Sequence, residues 1–102
     1  MKISDLCRGI ITADDYAGAE DLDICSVVTD SRRVSSGSLF VCLKGEKQDG
    51  RIFVDDAVKR GAAAVLTDQD GNGPFQGQKG QAVFLHHDNP KEVLPFLLAR
   101  FY

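Results

Sequence analysis

Thr29 to Leu66, TDSRRVSSGSLFVCLKGEKQDGRIFVDDAVKRGAAAVL, decides the fold. At its centre Ser38–Lys44 (SLFVCLK) alternates in a way that leaves neither face polar. Leu39, Val41 and Leu43 point one way, and Phe40 and Cys42 the other, so the strand predicted here is covered on both sides. Gly45–Gly50 is a polar loop. Arg51–Arg60 then reads as a helix, with Asp49 as N-cap and i,i+4 pairs at Phe53–Ala57 and Val54–Val58. Lys59 and Arg60 complement the negative C-terminal end, and Gly61 suits the left-handed position that closes it. Ala62–Thr67 follows directly as a second strand. Strand, loop, helix, glycine, strand is a βαβ unit with parallel strands and a right-handed crossover. The class is α/β.

Upstream, Ile24–Thr29 (ICSVVT) is β-branched and reads as a strand. The connection DSRRVSSG that follows it is short for a parallel crossover, which usually takes a dozen residues or more. The expectation is therefore a small parallel or mixed sheet flanked by helices. Ile3–Arg8 suggests a short helix with Ser4 as N-cap. Thr12–Asp23 is rich in Asp and Glu, lacks periodicity and reads as a solvated acidic loop. Asp14 and Asp15 have no accompanying ligand residue that would make them a metal site.

Downstream, Asp68–Gln81 holds four of the ten glycines and reads as a mobile surface loop. It is not a phosphate cradle, because neither G-x-x-x-x-G-K-[ST] nor a strand followed by G-x-G-x-x-G occurs in the chain. Ala82–His86 is a further strand. Asn89 as N-cap, Pro90 at the first helical position and Glu92 at the third open a last helix. Pro95 lies deeper, so a kink or a later start is expected there. The ending Arg100-Phe101-Tyr102 falls in mid-helix without a cap, as in a piece of a longer chain.

A length of 102 residues suits one domain, and a net charge of −3 argues against nucleic acid as the main partner, since Arg32-Arg33 and Lys59-Arg60 are each only a basic pair. Cys7, Cys25 and Cys42 are odd in number and widely spaced, which fits reduced thiols in a cytosolic protein rather than a disulfide framework or zinc site. No apolar run approaches ~18 residues, so no membrane span is expected.

Two loops are candidates for ligand binding. Glu46-Lys47-Gln48 leaves the buried strand at its carboxyl end and leads into a helix N-terminus, a place that favours anions. Thr29-Asp30-Ser31-Arg32 offers a hydroxyl and a guanidinium fork. The plainer reading of that tetrapeptide is a turn with an internal Asp30–Arg32 or Asp30–Arg33 pair. His86 and His87 are neighbours in a strand and point apart, which argues against a joint metal site. Residue chemistry describes a domain that binds something rather than transforming it.

The same stretch resembles the N-terminal domain of the Mur ligases, cytoplasmic enzymes that build the peptidoglycan stem peptide. The resemblance rests on Asp30-Ser31-Arg32, Gly37-Ser38-Leu39-Phe40-Val41-Cys42, Gly45, Asp49-Gly50-Arg51-Ile52-Phe53, Ala57 and Gly61-Ala62-Ala63-Ala64-Val65-Leu66, in order and with compatible gaps. Arg100-Phe101-Tyr102 is similar to the ending that precedes the ATP-binding domain in the ligases adding the third stem residue. The resemblance implies a domain that docks the UDP end of UDP-N-acetylmuramoyl-L-Ala-D-Glu and is not itself catalytic. ATP and Mg²⁺ would act in further domains, to activate the D-Glu carboxylate before a diamino acid is joined to it. By position, Ser31 and Thr29 would contact the nucleotide, and Glu46, Lys47 and Gln48 would line the uracil pocket, although the family often has His, Gln and a small residue in that loop. Cys42 stands where the family usually has Ala. The alternatives are the same domain of the ligase adding D-Ala-D-Ala, or a freestanding non-catalytic domain of this fold.

Overall fold

The structure, a computed structural model, describes residues 1–43, 50–68 and 82–102, with the backbone alone at 50–53 and 55. Four short strands, β1 (Ser26–Val28), β2 (Ser38–Val41), β3 (Ala64–Thr67) and β4 (Val83–His86), form one sheet in the order β1-β2-β3-β4. Every pairing is parallel. The helices are α1 (Ile3–Cys7), α2 (Gly50–Lys59) and α3 (Pro90–Phe101), with single 3-10 turns at Ala13–Tyr16 and Ser31–Arg33.

The register explains the double-sided alternation of β2. Val27, Leu39, Ala64 and Val83 stand side by side, as do Val28, Phe40, Val65 and Phe84 one residue along. The first row, with Val41, Leu66 and Leu85, packs beneath Ile3 and Leu6 of α1 and Val93 and Leu97 of α3. The second row packs against Val54, Ala57 and Val58 of α2, together with Val34, Cys42 and Ala62. The domain is thus three layers, α1 and α3 over the sheet over α2, as a parallel sheet without a polar face requires.

The sheet is wholly parallel despite the short β1–β2 connection. β1 is three residues long, about 10 Å, so the return path is short. The turn at Ser31–Arg33, packed on α2, covers it in place of a crossover helix. Gly61 closes α2 as expected. Ala62 N–H donates to the Ala57 carbonyl and Gly61 N–H to that of Val58, both at 3.1 Å, with φ at Gly61 of 102°. This pair of bonds is a Schellman ending. The proposed cap Asp49 and the loop 69–81 lie outside the described residues, as does the side chain of Phe53.

Four local expectations need correction. Ser4 is not an N-cap but lies inside α1, whose first free N–H groups at Ile3 and Ser4 donate to the carbonyls of Leu22 and Glu20 at 2.8 and 3.3 Å. The acidic segment is not uniformly solvated: Tyr16 is buried, and Asp15 Oδ2 accepts the N–H of His86 at 2.9 Å, covering the open edge of β4. Asn89 caps α3 through its backbone only; its carbonyl accepts Glu92 N–H at 3.0 Å, and its side chain makes no capping bond. Pro95 neither delays nor ends α3, which runs from Pro90 to Phe101. It lies on the exposed side of the helix, where the carbonyl left without its i+4 donor can be hydrated.

The ending Arg100-Phe101-Tyr102 is built into the domain. Arg100 Nη1 donates to the carbonyls of Asp5, Leu6 and Arg8 at 3.4, 3.0 and 2.6 Å, capping α1 from across the fold. Tyr102 Oη accepts the N–H of Val27 at 3.3 Å on the open edge of β1. Among the described residues, no helix is long and apolar enough to cross a membrane.

Candidate functional site at the carboxyl edge of the sheet

Because the strands are parallel, all four end on one edge, where ligands of open α/β sheets bind. Thr29 and Asp30 leave β1 there, Cys42 and Leu43 leave β2, Asp68 follows β3 and His87 follows β4. The two candidate loops therefore start from the same rim, a point the sequence left open. Glu46, Lys47 and Gln48 themselves lie outside the described residues.

At the exit of β1 the backbone is held by its own side chains. Asp30 caps the 3-10 turn: its Oδ1 accepts the N–H of Arg32 at 3.0 Å. The Arg32 guanidinium folds back onto the same carboxylate, Nε to Oδ1 at 3.1 Å and Nη2 to Oδ2 at 2.9 Å. Hydrogen bonding from Arg32 holds the Asp30 carboxyl below its ordinary range, and Asp30 in turn raises Arg32. Of the internal pairs considered, the one present is Asp30–Arg32. Its fork is engaged within the turn, and the pair is exposed enough for water to screen it.

Ser31 and Thr29 differ sharply in setting. Thr29 is exposed at the rim. Ser31 is 4% exposed, in a 3-10 turn that packs on α2 near Asp56. Asp56 receives Arg60 Nε, 3.1 Å from each carboxylate oxygen. Arg60 foremost, then Ser31, keeps the Asp56 carboxyl below its ordinary range. Asp56 is the residue that sequence reasoning missed. Its i,i+4 spacing to Arg60 signals an ion pair, but nothing local signals that the turn carrying Ser31 packs on its helix.

The histidines at the end of β4 are occupied locally. His86 Nε2 lies 3.8 Å from Asp88 Oδ1, and His87 Nδ1 accepts the N–H of Asn89 at 2.9 Å. Among the described residues, no three His, Cys, Asp or Glu side chains gather as metal ligands. Cys7 and Cys42 are buried and Cys25 is exposed. Burial pushes the Cys7 thiol up to about 11, so it is a packing group rather than a nucleophile.

Three layers, a wholly parallel sheet and a capped turn at its carboxyl edge define a small layered α/β domain. Residues 23–102 match the family described as Mur ligase family, catalytic domain. The chain is 40% identical, over all of its 102 residues and 20% of the relative, to the UDP-N-acetylmuramoyl-L-alanyl-D-glutamate–2,6-diaminopimelate ligase of Brucella melitensis. It is 43% identical to the ligase of the same name from Bacillus licheniformis, over 69% of this chain and 14% of that one. In structure it is similar to MurF from Acinetobacter baumannii, with a TM-score of 0.59 and 27% identity over 76% of this chain and 15% of that chain. The chain belongs to the Mur ligase family, as a domain of the N-terminal type. It spans about a fifth or less of the length of these relatives.

Proposed function

We propose that this domain docks the UDP end of UDP-N-acetylmuramoyl-L-Ala-D-Glu within a cytoplasmic ligase that adds a diamino acid during peptidoglycan synthesis. The observation that carries the reading is the shared rim: the β1 exit at Thr29–Ser31 and the β2 exit towards residues 46–48 open on the carboxyl edge of one parallel sheet. Family membership and the names of the curated relatives support it. The wholly curated matches at 40% and 43% identity favour the third-residue ligase over the D-Ala-D-Ala-adding one, to which the structural likeness at 27% identity extends.

In this reading Thr29 and Ser31 contact the nucleotide and Glu46, Lys47 and Gln48 line the base pocket. The chain has no glycine-rich phosphate loop of the nucleotide-hydrolase kind. ATP and Mg²⁺ would therefore be held by other domains of the enzyme, and the domain by itself carries no catalytic step.

A ¹H–¹⁵N NMR titration with UDP, then with UDP-N-acetylmuramoyl dipeptide, tests the proposal. Saturable shifts centred on residues 29–31 and 46–48 are expected. The absence of shifts at those positions, both in this chain and in one extended through the ATP-binding domain, would remove the docking role.

A further inference from the structure

A helix on the surface of a soluble domain keeps its outward face polar, as α2 does with Asp56 and Lys59. The last helix does not. From Val93 to Ala99 it carries no polar side chain, although only Val93 and Leu97 of that run are buried. Pro95, Phe96, Leu98 and Ala99 face solvent, and Tyr102 continues them. Each lies three or four positions from another of the five, so together they form one stripe. Phe96 is 63% exposed and Tyr102 75%. Among the described residues, the exposed large hydrophobics are Met1, Phe96, Leu98 and Tyr102, and three of these lie in the stripe. The exposure is therefore concentrated rather than scattered. Charged groups stand only at its two ends: Lys91 and Glu92 at the start, and Arg100 near the finish. An apolar centre within a charged rim is the anatomy of an interface.

The stripe is also held rigidly. Arg100 is engaged on the carbonyls of Asp5, Leu6 and Arg8, and Tyr102 Oη on the N–H of Val27. The Tyr102 ring meets Phe101 edge to face, with centroids 4.6 Å apart. We propose that this stripe seats the polypeptide that follows Tyr102 in the full-length protein, through an apolar segment packed over Phe96, Leu98 and Ala99. The chain matches only 14% and 20% of the lengths of two ligase relatives, so most of a protein of that size lies outside it. Phe96 precedes Tyr102 by six residues, about 9 Å along the helix axis. A tether that short holds the following segment at an effective concentration on the order of millimolar. A second copy of the chain lacks that advantage. The proposal rests on the reading of this chain as one domain of a longer ligase, and not on what the carboxyl edge of the sheet binds.

The test compares this chain with the full-length gene product by methyl NMR in a soluble nitroxide, which broadens exposed methyl signals. Leu98 and Ala99 should broaden strongly in the 102-residue chain and severalfold less in the full-length protein. Ala17, exposed outside the stripe, should broaden alike in both. Phe96→Glu should leave the urea midpoint of the 102-residue chain nearly unchanged, yet restore the broadening of Leu98 and Ala99 in the full-length protein. Dispersed spectra establish that the variant is folded. Equal broadening of Leu98 and Ala99 in the two parent proteins overturns the proposal, as does a reading frame that stops at Tyr102. Protection that appears in the 102-residue chain and grows with its concentration also overturns it, and assigns the stripe to a second copy. Protection retained in full-length Phe96→Glu shows that the stripe is not the seat. A UDP titration of both proteins reports on docking separately: absent UDP shifts with the protection intact remove the nucleotide reading and leave this one standing.

Discussion

An alanine at position 61 would place its Cβ 3.2 Å from Ser36 Cα, on a residue whose φ is 102°. Left-handed backbone costs an L-residue roughly 1–2 kcal/mol, and overpacking against backbone adds about 1–3 kcal/mol. Gly9 isolates the first contribution, since its φ is 76° and a Cβ there meets nothing within 4 Å. Gly61→Ala should therefore lower stability by roughly 2–4 kcal/mol and Gly9→Ala by about 1 kcal/mol, as read from urea unfolding. Equal losses would show that the approach of Ser36 does not matter.

The carboxylates of Asp30, which caps the Ser31–Arg33 turn, and of Asp56 in α2 make a second prediction at the same scale. Asp30 and Asp56 are both held below the ordinary value of 3.8, by Arg32 and by Arg60 with Ser31. A depressed carboxyl binds fewer protons in the folded than in the unfolded state. Its contribution is complete above the ordinary value and is lost as pH falls through the lowered one. Asp30→Asn with Asp56→Asn should flatten the acid limb of a stability profile below about pH 4, while asparagine still caps the turn at position 30. An acid limb as steep as the parent's would assign the loss to other groups.

At the scale of elements, α1 depends on a residue from the other end of the chain. Its last carbonyls, which have no partner within the helix, are taken by Arg100. Arg100→Ala should cost roughly 1–3 kcal/mol and speed amide exchange in α1 more than in α2. Arg100→Lys should recover part of this, since an ammonium supplies donors without the planar fork. Uniform acceleration across both helices would mean that Arg100 supports the fold at large. This clamp also marks where sequence reasoning reached its limit. β2, α2 and β3 were legible because alternation, i,i+4 pairs and Gly61 are local signals, and the structure keeps their two-faced packing. The caps of α1 and the role of Asp15 were not, because their partners are distant: His86 is 71 positions from Asp15, and Arg100 more than 90 from the carbonyls it caps. The site divides the same way. Asp30 and Arg32 form a local turn pair that residue types suggest, whereas the packing of the Ser31–Arg33 turn on α2 joins a loop to a helix beyond an intervening strand.

For the whole molecule, one thin sheet separates two sets of buried side chains, with Leu97 in the set under α1 and α3 and Val54 in the set under α2. Both side chains are 0% exposed. Leu97→Ala should cost roughly 2–5 kcal/mol and Val54→Ala roughly 1–3 kcal/mol. Layers pack about 10 Å apart, so their losses should add to within about 0.5 kcal/mol. Leu97→Ala with Leu6→Ala removes two residues from one set and should depart from additivity by more than that. The difference reaches the candidate site, because Val34, directly after the Ser31–Arg33 turn, is buried in the α2-side set. Val54→Ala should accordingly speed amide exchange at residues 31–34, and Leu97→Ala should leave those amides slow relative to global unfolding. Coupling across the sheet as strong as coupling within one face, or equal loosening of the turn by both variants, would mean that the two faces form one cooperative core and that α2 has no privileged hold on the rim.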